Sequence, residues 1–381
     1  MEPQTHTPAH GRPQESRDGC PPGSDRSEVS DSSIGITSHL QAPFRLFVGD
    51  DGLRCGWSAL LFVALYYLLL FVLDIVALTV DPHLADIYFS PVQMAIGELV
   101  PLFAILGAGL VMARAEQRRL IGYNLADTRG VRHFVSGILA GFVALSTLIA
   151  ALALGGWLHF GPPALRGGAI FKYALLWACA FLLVGLFEEG FFRCYLLSTL
   201  TRGINFWWAL ATVASLCLLL VASRDPQGSG GVFLIAFLGI IPCWLLHRAH
   251  IASSSFWQAT WATSTAFGFF HTNNGGENTI GIFAAALVGM AFCISVRLTG
   301  SAWWAIGCHA AWDWAETYFY GTPDSGLSPA RHLLATTPVG DVLWSGGTDG
   351  PEGSLLVVPV ILLLIAFLVA FYRVRSVAHA T

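Results

Sequence analysis

Apolar residues in this chain come in long unbroken runs, not in the short alternations of a half-buried strand or surface helix. A helix that crosses a bilayer needs ~20 largely apolar residues. Ten runs approach that length: Trp57–Val80, Pro91–Ala113, His133–Leu158, Phe171–Leu200, Phe206–Ala222, Gly231–Leu246, Phe256–Phe270, Ile280–Val296, Ala302–Tyr320 and Leu355–Phe371. Residues 1–45 are different, being rich in Pro, Gly, Ser, Asp and Arg with almost no aliphatics. They predict a disordered cytoplasmic tail without the apolar core of a signal peptide. The pattern therefore predicts an all-α fold, a polytopic transmembrane helical bundle of about 8–10 spans. One transmembrane domain is expected over residues 57–371, followed by a short cytoplasmic tail, 372–381.

Composition agrees. Residues of the apolar set make up 55% of the 381 and charged residues 12%, against ~25% charged in soluble domains. The net charge of −4 matters less than where the basic residues lie. With the N-terminus inside, the inner segments hold Arg45, Arg54, Arg114, Arg118, Arg119, Arg129, Arg132, Arg202, Arg248, Arg297, Arg373 and Arg375. The outer segments hold only Arg166, Arg224, Arg331 and Lys172, together with Asp81, Asp86, Asp225, Glu277, Asp324, Asp341, Asp349 and Glu352. Both termini are expected in the cytoplasm, with the Gly/Pro/Asp-rich stretch 321–354 outside. Six of the eight cysteines lie in apolar runs and none forms a Cys-x-x-Cys pair, so they read as packing residues.

Ionisable groups inside a bilayer are costly and mark function by default. Glu188-Glu189-Gly-Phe-Phe-Arg193 lies within the fourth run. Adjacent carboxylates are ~100° apart on a helix, whereas Glu189 and Arg193 share a face and suit an ion pair. Glu188 then points elsewhere without a local partner, as a general base could. Phe267 and His271 stand four apart on another run, and His309 and Asp313 four apart on a third. Counted from the turns near Arg202 and His250, Glu188 and His271 lie about 20–25 Å from the same side. Glu188, His271, His309 and Asp313 are expected to meet in one intramembrane polar cavity. Asp74 and Glu98 flank the 81–90 turn, and helix-pairing carboxyls account for them at least as well as catalysis does.

In this order, Glu-Glu-x-x-x-Arg, Phe-x-x-x-His and His-x-x-x-Asp resemble the CPBP intramembrane proteases, which include the type II CAAX prenyl endopeptidases. The resemblance covers about residues 170–326, including the strings Trp303-Trp-Ala-Ile-Gly-Cys-His309-Ala-Ala-Trp-Asp313 and Phe319-Tyr-Gly-Thr-Pro-Asp-Ser-Gly326. Two departures stand out. An extra hairpin, about 206–246, separates the first two motifs, and Asp313 stands where some members carry Asn.

The resemblance implies hydrolysis of a peptide bond in a membrane-associated peptide or protein. Glu188 would activate water with help from His271, and His309 with Asp313 would stabilise the oxyanion. Glu189, Arg193 and Phe267 would support the site. Asp313 would have to be protonated, orient His309 or help bind a metal. A glutamate mechanism without a cofactor is expected, because no His-Glu-x-x-His string occurs. The alternative is zinc on Glu188, His271, His309 and Asp313. The expected surroundings are a bacterial plasma membrane, the lipid bilayer and a peptide substrate, with no nucleic acid. A non-catalytic binding, immunity or transport protein is the other functional class, although no internal repeat of the transporter kind is visible.

Overall fold

The computed structural model describes residues 47–49, 52–80, 89–223, 240–241, 243–251, 253–272 and 274–378. The tail 1–45, the loop 224–230 and most of the run Gly231–Leu246 lie outside the described residues. Among the described residues nine of the ten apolar runs are helices. We label them α1 (Cys55–Val80), α2 (Pro91–Ala115), α3 (Gly130–Leu154), α4 (Gly168–Leu200), α5 (Phe206–Ser223), α6 (Ser254–His271), α7 (Thr279–Thr299), α8 and α9 (Val357–Ala378). Helix α8 covers Trp303–Trp314 and continues as a π-helix over Ala315–Tyr320. The protein is an all-α polytopic bundle. Helices α1, α2, α3, α4 and α7 are long and apolar enough to span a membrane, and apolar stretches of α5 (206–218) and α9 (357–372) are shorter.

Local chemistry sets several helix ends. The Ser90 hydroxyl accepts the Gln93 N–H, with Pro91 in the first turn, and opens α2. Asn278 accepts the N–H groups of Ile280 and Gly281 and opens α7, which ends at Gly300 with φ 81°. Helix α9 runs on to Ala378, through most of the stretch expected as a tail.

The loops gather at two opposite ends, as alternating spans require. At one end Ala302 N–H donates to the Asn124 carbonyl and Trp303 Nε1–H to that of Leu125. At the other, Leu158–Phe160 pairs antiparallel with Thr336–Pro338, and Ala330 N–H reaches the Phe89 carbonyl. The stretch 321–354 is not a loose loop. Thr322, Ser345, Asp349 and Ser354 are buried in it.

One close packing positions the site. A Cβ on Gly137 or Gly141 of α3 would collide with the Trp304 or Cys308 carbonyl of α8, and one on Gly307 with the Phe134 carbonyl. This small-x-x-x-small seam brings two backbones into contact, as membrane helices do when small residues line the interface. It fixes the height and rotation of α8, and hence of His309.

Candidate active site

Helix α4 changes its winding where the first motif ends. The α-helix runs to Glu189 and becomes a π-helix over Gly190–Leu196. A π segment displaces the backbone ladder and is frequent at functional sites. The Arg193 carbonyl in this stretch accepts Asn124 Nδ2–H at 2.7 Å. A second π segment follows the third motif directly, at Ala315–Tyr320.

Glu189 and Arg193 form the expected ion pair, Nη1 to Oε1 at 3.1 Å, with both side chains fully buried. Arg193 also lies over the Phe267 ring at 4.2 Å and near Phe292 and Phe192, at 5.2 and 5.6 Å. Its Nε and Nη2 have no hydrogen-bond partner among the described residues, so aromatic faces supply part of the cation's stabilisation. Gly289 leaves the room this needs, since a Cβ there would stand 2.7 Å from Nη2.

Glu189 has a second partner that its own helix does not reveal. His309 Nδ1 lies 2.9 Å from Glu189 Oε1, across 120 residues of sequence. A carboxylate paired with arginine only accepts, so Nδ1 carries the hydrogen and donates. The imidazole stacks on Phe292, with ring centroids 5.6 Å apart, and its Nε2 points to Asp313 Oδ2 at 3.5 Å and Glu188 Oε2 at 3.9 Å. Glu188 Oε2 has no hydrogen bond. His271 is fixed in the same way. Its Nδ1–H donates to the Phe267 carbonyl at 2.9 Å, leaving Nε2 as the free nitrogen.

These groups face one cavity of about 550 Å³. Glu188, His271, His309 and Asp313 all line it, so the four residues expected to converge do so. Phe267 lines it as well, whereas Glu189 and Arg193 stand behind the wall. The pair Asp74 and Glu98 separates: Glu98 lines the cavity and Asp74 sits on the exposed side of α1. Two further carboxylates in the lining, Asp324 and Glu352, come from the 321–354 stretch, which roofs the cavity. Thr317 Oγ1–H donates to Asp324 at 2.7 Å, and Trp312 Nε1–H to Glu352 at 2.5 Å. Asp324 lies in the Pro-Asp-Ser-Gly string, where a signal was present; nothing in the sequence marks Glu352. Among the described residues, no three His, Cys, Asp or Glu side chains converge closely enough to hold a metal ion.

The family model for type II CAAX prenyl endopeptidase, Rce1-like, matches residues 170–255 and 245–315. The matched stretches contain all three motifs, and over these residues the resemblance to the CPBP family holds. No curated protein and no solved structure matches the chain.

Proposed function

We propose that this integral membrane protein, whose residues 170–315 match the type II CAAX prenyl endopeptidase, Rce1-like, family model, hydrolyses a peptide bond of a membrane-associated peptide or protein by a glutamate mechanism. One observation carries the reading. Glu188, whose Oε2 has no hydrogen bond, and the Nε2 nitrogens of two separately anchored imidazoles face the same cavity, with His309 Nε2 3.9 Å from Glu188 and 3.5 Å from Asp313.

In this mechanism Glu188 takes a proton from water, with His271 Nε2 accepting a second hydrogen bond from it. The hydroxide adds to the scissile carbonyl. His309, protonated on both nitrogens, donates from Nε2 to the oxyanion, and its Nδ1–H is held by Glu189. Asp313 orients that ring. The C–N bond then breaks as Glu188 returns its proton to the leaving amine. General base catalysis contributes about 10²–10⁴-fold, and one oxyanion donor about 10²–10³-fold. The Glu189–Arg193 pair acts through position alone.

The distribution of arginine supports an orientation with both termini in the cytoplasm and the 321–354 roof outside. A cysteine placed at Thr348 should react with an impermeant reagent added outside, and one at Ser27 should not; the reverse pattern inverts the topology. The catalytic reading is tested by comparative peptidomics of cells carrying wild type or Glu188→Gln. Membrane-derived peptides present only with wild type are expected, from protein levels equal in both. Identical peptide sets would move the protein to the non-catalytic binding class.

A further inference from the structure

Two of the three motif helices are tied together by one short stretch. Residues 123–127 connect α2 to α3 and lie outside the matched stretches 170–255 and 245–315. The stretch is held from within: the Leu125 and Ala126 N–H groups both donate to the Ile121 carbonyl, and Asn124 takes φ 55°. Asparagine is one of the few residues besides glycine that adopt this left-handed conformation readily. Three contacts run from here to the start of α8. Ser301 Oγ–H donates to Asp127 at 2.6 Å, Ala302 N–H to the Asn124 carbonyl at 2.8 Å and Trp303 Nε1–H to the Leu125 carbonyl at 3.0 Å.

The Asn124 side chain reaches the other helix. In an α-helix the Leu197 N–H would bond the carbonyl four residues back, that of Arg193. In α4 it bonds the Phe192 carbonyl instead, because π winding shifts the ladder by one residue. Asn124 Nδ2–H supplies the Arg193 carbonyl with a donor at 2.7 Å. The π segment is thus stabilised from outside its own helix. Arg193 in turn fixes Glu189, and Glu189 holds His309 Nδ1 at 2.9 Å. Asn124 grips both sides of that contact: the π segment with its side chain, and α8, about two turns before His309, with its own carbonyl.

We propose that Asn124 is a positioning residue. By joining the π segment of α4 to the start of α8 it sets the contact between Glu189 and His309, and so the direction of His309 Nε2 into the cavity. The proposal deepens the hydrolytic reading and rests on it for its kinetic arm. Asn124 is not among the residues lining the cavity, so it acts through geometry alone. Misplacing a catalytic group by about 1 Å costs up to about 10²-fold in rate.

The test uses the full-length protein in detergent, with its histidines isotopically labelled at the ring nitrogens. Two variants remove the bond and still suit the left-handed backbone. Asn124→Gly deletes the side chain, and Asn124→Asp keeps its size but has no N–H to donate. The NMR signal of His309 Nδ1–H, identified by its absence in His309→Gln, should shift or broaden in both variants. On a synthetic peptide spanning a site that wild type cleaves, kcat should fall about 10–100-fold while KM stays within about twofold. A merely structural role would lower the melting temperature and leave both readouts of the folded protein unchanged. An unmoved Nδ1–H signal, a kcat per folded molecule equal to that of wild type, or failure of both variants to fold would each overturn the proposal. If the signal moves but wild type cuts no peptide, Asn124 keeps its positioning role and the hydrolytic reading fails.

Discussion

The two ends of the bundle treat buried carboxylates in opposite ways. At the arginine-bearing end, Glu116 accepts Tyr123 Oη–H, Tyr195 Oη–H and Arg202 Nη2–H, each at 3.1 Å. Asp127 accepts the Ser301 hydroxyl and faces His133 Nδ1, both at 2.6 Å. Burial alone would raise both acids. The Ser58 and Arg202 contacts outweigh it for Glu116, and the Ser301 and Arg129 contacts for Asp127, so both lie below the usual carboxylate range. At the roof, Glu277 and Asp349 are buried with unpaired oxygens. Burial, then the neighbouring Asp349, pushes Glu277 up to about 8. Asp349 reaches about 7, through burial and Asp324 against the Asn278 N–H. One end ties helices together. The other leaves acids buried with oxygens that have no hydrogen-bond partner among the described residues.

Glu188 and Glu189 differ in a similar way: Glu189 Oε1 holds both Arg193 and His309, whereas Glu188 makes no hydrogen bond through Oε2 and meets His309 Nε2 only at 3.9 Å, so substitutions at these two positions should have the largest effect. Glu189→Gln strands Arg193, and breaking a buried pair costs about 3–5 kcal/mol. Because Glu189 also holds His309 Nδ1, activity should fall along with stability, whereas Glu188→Gln should lose activity at an unchanged melting temperature. Thermal unfolding in detergent measured beside peptide hydrolysis checks both. Equal stability of the two variants would erase the distinction.

Asp313 gives a smaller effect. If it only orients His309, Asp313→Asn should stay within about tenfold of wild type, a barrier change under ~1.4 kcal/mol, and chelators should not inhibit. Collapse of activity that added zinc partly restores would place a metal on His271, His309 and Asp313 instead.

The smallest effect is on pH dependence. Glu277 and Asp349 keep their protons when folded but ionise near their ordinary values when unfolded. Their contribution to stability is full at about pH 4 and is lost as pH rises towards about 7–8. Glu116 and Asp127 act in the opposite sense, their contribution being lost only on further acidification below the usual carboxylate range. Melting temperature should therefore decline from pH 5 to pH 8, and Asp349→Asn should flatten that decline. A slope identical to that of wild type in Asp349→Asn would show that the roof acids do not differ from those at the arginine end.

Much of this arrangement was legible in the chain. The run Pro91–Ala113 became a helix over Pro91–Ala115, because in lipid a backbone without water must satisfy its own hydrogen bonds. The i, i+4 spacing of Glu189 with Arg193 and of His309 with Asp313 placed each pair on one helix face before any tertiary contact was known. Periodicity within a helix says nothing about what faces it from another. Sequence could not tell that Glu189 holds His309, since that bond depends on the glycine seam that presses α8 onto α3. Nor could it separate Asp74 from Glu98, two acids in apolar runs. The rotation of α1 and α2 against α4 left the first at the exposed surface and turned the second into the cavity. Composition and local spacing decided that this chain enters a membrane and which groups it carries there. Only packing between helices decided which carboxyl groups are neutralised and which stay available to a substrate.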